Sequence, residues 1–270
     1  ERLEDQFSLY RAHSALRRLN RSGVLAQPSF DMLRLLATSR RYSDLSGGAF
    51  DVTVQPLWKL HAAHFARPDA DPEGPPRRAV EAALGLVDYR AMNLGSSAVS
   101  LGRPGMALTL NGIAQGYITD SVAELLRGHG MERVLIDLGE IRALGRVSDR
   151  PWRIALNHAG GPVASLPRTL ELTDGAVATS TGAGTPIGPG GRHHLFDPRT
   201  GGNPRHWTAV TVVAASATAA DALSTALYGM VPEEAARLVS ELDGVGAFLT
   251  RADGRTVTLG NFNHANENWI

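Results

Sequence analysis

Cysteine is absent from the 270 residues, which excludes disulfides, thiolate metal sites and cysteine nucleophiles. Net charge is absent as well. The 27 basic side chains balance the 27 acidic ones, so there is no global electrostatic case for nucleic acid or an anionic membrane surface as a partner. Lysine is nearly missing: Lys59 is the one lysine in the chain, a bias that reflects genome composition rather than a binding surface. No apolar run is long enough to cross a bilayer. The longest uncharged stretch that leans apolar, Trp207 to Ala220, is short and rich in Ala and Thr. What is present is ordinary for a globular chain, 43% hydrophobic and 20% charged residues. That is enough to bury a core, as one large domain or two.

The stretch that organises the chain is Thr109-Leu-Asn-Gly-Ile-Ala-Gln-Gly-Tyr-Ile-Thr-Asp120. A short apolar run turns through Gly112 and Gly116 and feeds a helix whose expected apolar face is Ile118, Val122, Leu125 and Leu126, stopped by Gly128 and Gly130. Such a turn exposes N–H groups and suits an anion, although many serve only to connect a strand to a helix.

Around it the coarse reading is mixed α and β. Ser14 is a candidate N-cap for a helix ending near Asn20 and Gly23, and Tyr10 reads as a half-buried aromatic. Pro28 and Ser29 introduce a helix over 30–42 with Met32, Leu35, Leu36 and Ser39 on one face. Ser46 to Trp58 reads as a close backbone approach followed by a short strand or turn, with Asp51 as a turn carboxylate. His61 and His64, three apart without a third ligand, read as exposed helix histidines. Residues 66–78 are the Pro-rich loop and the expected lobe boundary. A helix follows over 78–85, then paired strands within 91–110 about a turn at 102–105. Strands are expected at 134–139, 141–145, 152–157, 168–172 and 209–214, and a hairpin over 246–259 about Asp253-Gly254, with a loosely held tail from Asn261.

Gly182, Gly184 and Gly188 imitate a dinucleotide fingerprint, but the spacing is wrong and no helix is expected after them. His194 and Asp197 lie on a constrained segment before Pro-Arg-Thr-Gly201, with Asp197 reading as the residue that holds the turn. Asp221 and Thr225 share a helix face. They could hold a hard cation such as Mg²⁺ or be polar groups bonded internally in a close-packed Ala-rich helix.

Five ordered segments together resemble the ApbE family of FAD:protein FMN transferases: Phe7–Asn20, Gly48–Leu57, Gly112–Tyr117, His194–Gly201 and Ala220–Ala226. The resemblance implies an α+β fold of mixed or antiparallel sheets flanked by helices, a single domain over 1–270 with a flavin cleft between two lobes. The family's N-terminal strand lies ahead of residue 1. It implies FAD contacts at Tyr10, Ala49, Phe50, Asp51, Thr109, Gln115 and Leu195. A Mg²⁺ ion would be held by the Gly112 carbonyl, Asp221 and Thr225, with Ser224 alongside, and His194 would act as catalytic base. The implied activity is Mg²⁺-dependent transfer of FMN from FAD to a Thr or Ser of an acceptor redox flavoprotein, membrane-bound or periplasmic, with release of AMP. The alternatives are an FAD carrier without transfer activity and an FAD pyrophosphatase.

Many members carry Asp where Thr109 stands and Lys where Gln115 stands. The form Leu-Asn-Gly-Ile-Ala-Gln-Gly-Tyr117 is similar to the NosX members associated with nitrous oxide reductase maturation. Periplasmic export is implied by the family. The chain opens without methionine in a helix-like stretch, so a removed targeting segment is expected to lie outside it.

Overall fold

The computed structural model describes residues 1–156 and 168–263, and the chain forms two compact units. The first comprises residues 1–114 and 184–204, the second residues 115–183 and 205–270. The expected strand residue Asn157 lies outside the described residues. The elements are helices and antiparallel sheets, an α+β fold. Among the described residues no helix is long and apolar enough to cross a membrane.

In the first unit a one-turn helix α1 (Glu4–Phe7) precedes α2 (Ala15–Ser22). Ser14 caps α2 as its spacing predicts, its Oγ accepting from the Arg17 N–H, and Gly23 closes the helix at φ 73° where a side chain would be strained. After β1 (Val24–Ala26), Ser29 caps α3 (Phe30–Leu45) by the same device. Met32, Leu35, Leu36 and Ser39 form its buried face, and the helix runs three residues beyond the expected Tyr42.

Of the two forms expected for the next segment, strand or turn, it takes the turn. Val52–Val54 is a 3-10 turn that leads into α4 (Gln55–Phe65). The Asp51 carboxylate caps the turn, and Pro56 sits in the first helical turn, where a missing N–H is harmless. His61 and His64 on α4 are buried, not exposed. His61 packs its ring 4.8 Å from that of Phe196, its Nε2 buried with no hydrogen-bond partner among the described residues, and His64 Nε2 bonds the Asp71 carbonyl at 2.9 Å.

The Pro-rich segment lies inside this unit rather than at its edge. Arg192 donates to the carbonyls of Pro72 at 3.3 Å and Glu73 at 2.6 Å. The chain passes between units instead at 114–115, 183–184 and 204–205. Helix α5 (Arg77–Leu84) follows, then β2 (Met92–Leu94) and β3 (Ala98–Leu101). The sheet order is β1-β3-β2, antiparallel. The hairpin turn falls at Gly95–Ser97, not at 102–105.

The second unit opens with α6 (Ala114–Gly128) and β4 (Val134–Asp137), β5 (Ile141–Leu144), β6 (Trp152–Leu156), β7 (Arg168–Leu172) and β8 (Gly175–Thr181). It continues with β9 (Ala209–Ala214), α7 (Ala217–Tyr228), α8 (Pro232–Ser240), β10 (Gly246–Thr250) and β11 (Thr256–Gly260). Six strands pair in the order β11-β10-β9-β8-β5-β4, and β6-β7 form a separate hairpin. Every residue of β9 is buried, so both sheet faces are covered there. Val177, Val213 and Phe248 pack with β6-β7 residues Ile154, Leu156, Leu170 and Leu172 and with Phe262. Phe262 is 1% exposed: the start of the expected loose tail, Asn261–Asn263, is a 3-10 turn anchored in the core, and residues 264–270 of that tail lie outside the described residues.

Helix α6 corrects the expected face. Val122 and Leu126 pack against Ala123, Ile136 and Leu144, but Leu125 is 60% exposed, and the deepest face runs through Gly116, Tyr117 and Ala123. Gly116 lies in the first helical turn, not in the preceding loop. A Cβ there would collide with the backbone carbonyl of Ala217, so the glycine permits the N-terminal ends of α6 and α7 to touch.

At that contact each helix caps the other. Asp120 on α6 accepts from the N–H groups of Ala217 at 2.9 Å and Thr218 at 2.8 Å, while Asp221 on α7 accepts from the Gly116 N–H at 3.0 Å. Donors that a helix N-terminus leaves open are thereby satisfied. Gly116→Ala should lower unfolding free energy by roughly 2 kcal/mol or more, measured by urea denaturation. Gly128→Ala, where a Cβ meets nothing within 4 Å, should be neutral or stabilise by up to about 1 kcal/mol.

Candidate functional site

In the first unit the Ala49-Phe50-Asp51 turn is built from backbone conformation first. Gly47 and Gly48 take φ 59° and 84°, values that favour glycine, and the Phe50 N–H bonds Ser46 Oγ at 3.0 Å. Asp51 is then consumed locally. Its Oδ1 accepts from the N–H and hydroxyl of Thr53, each at 2.7 Å, and its Oδ2 from the Tyr89 N–H at 3.0 Å. Burial pushes its pKa up against those hydrogen bonds. With three donors on its carboxylate, Asp51 offers its surroundings a rigid turn rather than a free charge.

Thr109 joins this turn: its N–H donates to the Val52 carbonyl at 2.8 Å. Its Oγ1 accepts from the Asn111 N–H at 3.3 Å. The preceding residue is clamped by Asn20, whose amide both donates to the Leu108 carbonyl at 2.8 Å and accepts from the Leu108 N–H at 2.6 Å. Sequence reasoning took Asn20 for a helix end. The signal available was an amide, able to copy one strand's pairing with a partner.

Tyr10 is 82% exposed, where the sequence suggested half-burial. With Arg17, Asn20, Trp58, Lys59 and Asn111 it lines a cavity of about 500 Å³. The chain's one lysine and two aromatic rings thus meet in a basic pocket of a kind that suits a planar anionic ligand.

His194 and Leu195 belong to the same unit, on a loop held by Asn203. The Asn203 amide donates to the His193 and Leu195 carbonyls, both at 2.7 Å, a role that sequence reasoning missed. Asp197 holds the following turn as expected, accepting from the Arg199 N–H at 2.9 Å and side-chain Nε at 3.0 Å. His194 Nδ1 lies 3.2 Å from the Thr185 carbonyl. A carbonyl only accepts, so Nδ1 carries the proton and Nε2 keeps its lone pair. Burial lowers the His194 pKa from its ordinary 6.5, with the Thr185 bond opposing. The result is a neutral imidazole with its basic nitrogen chosen by the backbone.

In the second unit Asp221, 5% exposed, and Thr225 occupy one face of α7. Ser180 of β8 bonds Ser224 Oγ at 2.8 Å and Thr225 Oγ1 at 3.4 Å, fixing both hydroxyls. Gln115 donates its amide to the Leu138 carbonyl at 2.7 Å, so it braces the turn between β4 and β5. Burial raises the pKa of Asp221. Burial, then Asp221, then Asp137 raise that of Glu140. Among the described residues no three His, Cys, Asp or Glu side chains form a metal-holding group. The donors present are two buried carboxylates and hydroxyls, hard oxygens of the type Mg²⁺ takes. Glu140 Oε2 is buried without a partner, which suits a site where a cation supplies the missing charge.

Both carboxylates have folded-state pKa values above their ordinary 3.8 and 4.5. Their contribution to stability is therefore full below those ordinary values and is lost as pH rises through the raised ones, at up to about 1.4 kcal/mol per pH unit for each group. Metal-stripped protein should melt progressively lower from pH 5 upward. Added Mg²⁺ should restore the loss, by an increment that grows with pH, as read by thermal denaturation with and without EDTA.

The model of the ApbE family matches residues 1–249. The FAD:protein FMN transferase of Vibrio cholerae is 32% identical over 255 residues, covering 91% of this chain and 75% of the relative. That of Treponema pallidum is 30% identical over 275 residues, covering 92% and 74%. Among solved structures, the apo flavinyl transferase ApbE of Pseudomonas stutzeri superposes with a TM-score of 0.83 at 28% identity over 99% of this chain and 85% of its own. The ApbE protein of Thermotoga maritima gives 0.84 at 26%, over 97% and 87%.

Proposed function

The chain belongs to the ApbE family, and we propose that it is an Mg²⁺-dependent FAD:protein FMN transferase acting on a Thr or Ser of an acceptor redox flavoprotein. The observation that carries the proposal is His194, a half-buried imidazole whose Nδ1 is spent on the Thr185 carbonyl. Its Nε2 is left to take the acceptor's hydroxyl proton. As that proton moves to Nε2, the acceptor oxygen bonds the FMN phosphorus, the pyrophosphate P–O bond breaks, and AMP leaves. The lowered pKa keeps His194 in its basic form near neutral pH.

The flavin contacts proposed are Tyr10, the rigid backbone of Ala49–Asp51, Thr109, Gln115 and Leu195. Asp51 contributes through the turn that it caps, because its carboxylate oxygens already accept from Thr53 and Tyr89. Asp221 and Thr225 would hold Mg²⁺, and the family pattern adds the Gly112 carbonyl. Bound there, Mg²⁺ supplies charge neutralisation at the pyrophosphate. Asp221 also fixes the first turn of α6 through Gly116, so binding the ion and seating that helix fall to one carboxylate. The Leu110–Tyr117 form supports a NosX-type role in nitrous oxide reductase maturation, in the periplasm.

The test is intact-protein mass spectrometry of an acceptor flavoprotein domain incubated with this protein, FAD and Mg²⁺. The expected result is a gain of one FMN unit with AMP release, lost with EDTA and reduced on the order of 10²-fold or more by His194→Ala, while FAD binding is kept. The acid limb of the rate should fall below pH 6.5, the direction of the His194 shift. FAD binding without FMN gain would favour the carrier, and AMP release without acceptor would favour the pyrophosphatase.

A further inference from the structure

Glu140 is not among the Mg²⁺ ligands named under Proposed function, and its position is fixed from several sides. It ends the three-residue loop between the paired residues Asp137 and Ile141. The Leu138 N–H donates to the Glu140 carbonyl at 3.2 Å, and Gln115 grips the Leu138 carbonyl. The next residue, Ile141, is already in register with Val177. Loop, helix and sheet together leave Glu140 little freedom to turn outward.

The side chain is accordingly 9% exposed, and Oε2 is buried with no hydrogen-bond partner among the described residues. The charged groups that act on it are Asp221 and then Asp137, both of its own sign. Gln115, which holds the Glu140 loop at Leu138, adjoins Gly116, whose N–H bonds Asp221, so loop and Asp221 are both tied to the first turn of α6. A buried carboxylate oxygen with no donor, in the field of another buried carboxylate, is strongly unfavourable in its charged form unless positive charge is supplied. Among the described residues no basic side chain is found to act on it, and Asp221 is the carboxylate proposed to hold a cation.

We infer that Glu140 is a further acidic residue of the cation site opened by Asp221 and Thr225, with Oε2 directed at the ion itself or at one of the waters that Mg²⁺ retains. The inference rests on the Mg²⁺ reading given under Proposed function. Its effect is positional: Glu140 raises affinity for the ion and fixes where the ion sits, while proton transfer remains with His194. Gln115 acquires a second task as well, because its bond to Leu138 sets the loop that aims Glu140.

The test uses the full chain, stripped of metal, with Mn²⁺ as the probe and free Mn²⁺ read by electron paramagnetic resonance, with and without saturating FAD. Wild type should bind one Mn²⁺, Glu140→Gln at least tenfold more weakly, and Asp221→Asn not measurably. Glu140→Asp, which keeps the charge, should recover part of the loss. Glu140→Gln with wild-type Mn²⁺ affinity would overturn the inference and leave Glu140 as a neutral structural acid. Should Glu140→Gln fail to fold by circular dichroism, Glu140→Asp decides: a shift of threefold or more supports the inference and an unchanged affinity overturns it. Wild type that binds no Mn²⁺ in either condition would instead remove the Mg²⁺ reading itself, a distinguishable result.

Discussion

The reciprocal capping of α6 and α7 is the constraint on which the second unit depends. Two helix N-termini meet at Gly116 and Ala217, and each would leave N–H groups unsatisfied and partial positive charges facing one another. Asp120 and Asp221, one from each helix, answer both problems, since a carboxylate at a helix N-terminus is favoured by donors and dipole alike. Asp120 is also 3.5 Å from the Arg142 guanidinium, so its charge is balanced by β5. Among the described residues Asp221 has no such ion pair, and that asymmetry separates the two caps.

The same physics explains how much of the molecule was legible in its residues. Ser14, Ser29 and Gly23 mark helix ends by local chemistry, and those helices begin and stop there. Five strands of the six-stranded sheet were visible because β4, β5, β9, β10 and β11 are runs of β-branched and small residues between turn signals, whereas β8 (Gly175–Thr181), rich in Gly, Ala, Ser and Thr, was not expected. The segment after Asp51 was legible only as a strand or a turn, because its sequence is β-branched while the Tyr89 N–H that completes the Asp51 cap lies 38 residues away. His61 and His64 were placed at the surface because helical spacing does not reveal Phe196, which arrives from a distant loop.

The site divides along the same line. His194, Asp221 and Thr225 were identified by motif and stand where hydrogen bonding makes sense of them. Asn20, Asn203 and Glu140 were not singled out, since an amide or an acid in a loop has no periodicity to betray it. Each is defined by a backbone partner or by the lack of one, and those are facts of tertiary structure. The sequence reading took Gly116 as a loop residue, whereas in the fold it is the place where two helices touch.

The loop that carries His194 has a further consequence. Residues 184–204 pack with the first unit, yet the chain on either side of them packs with the second. Neither unit is therefore a continuous length of polypeptide, and no single cut separates them. A fragment ending at residue 114 would keep Tyr10, the 49–51 turn and Thr109 but lose the imidazole. The remainder would keep the imidazole without the partners that bury it. For a gene, this means that the 49–51 turn and His194, the flavin contact and the base proposed above, cannot be traded as modules by one recombination event.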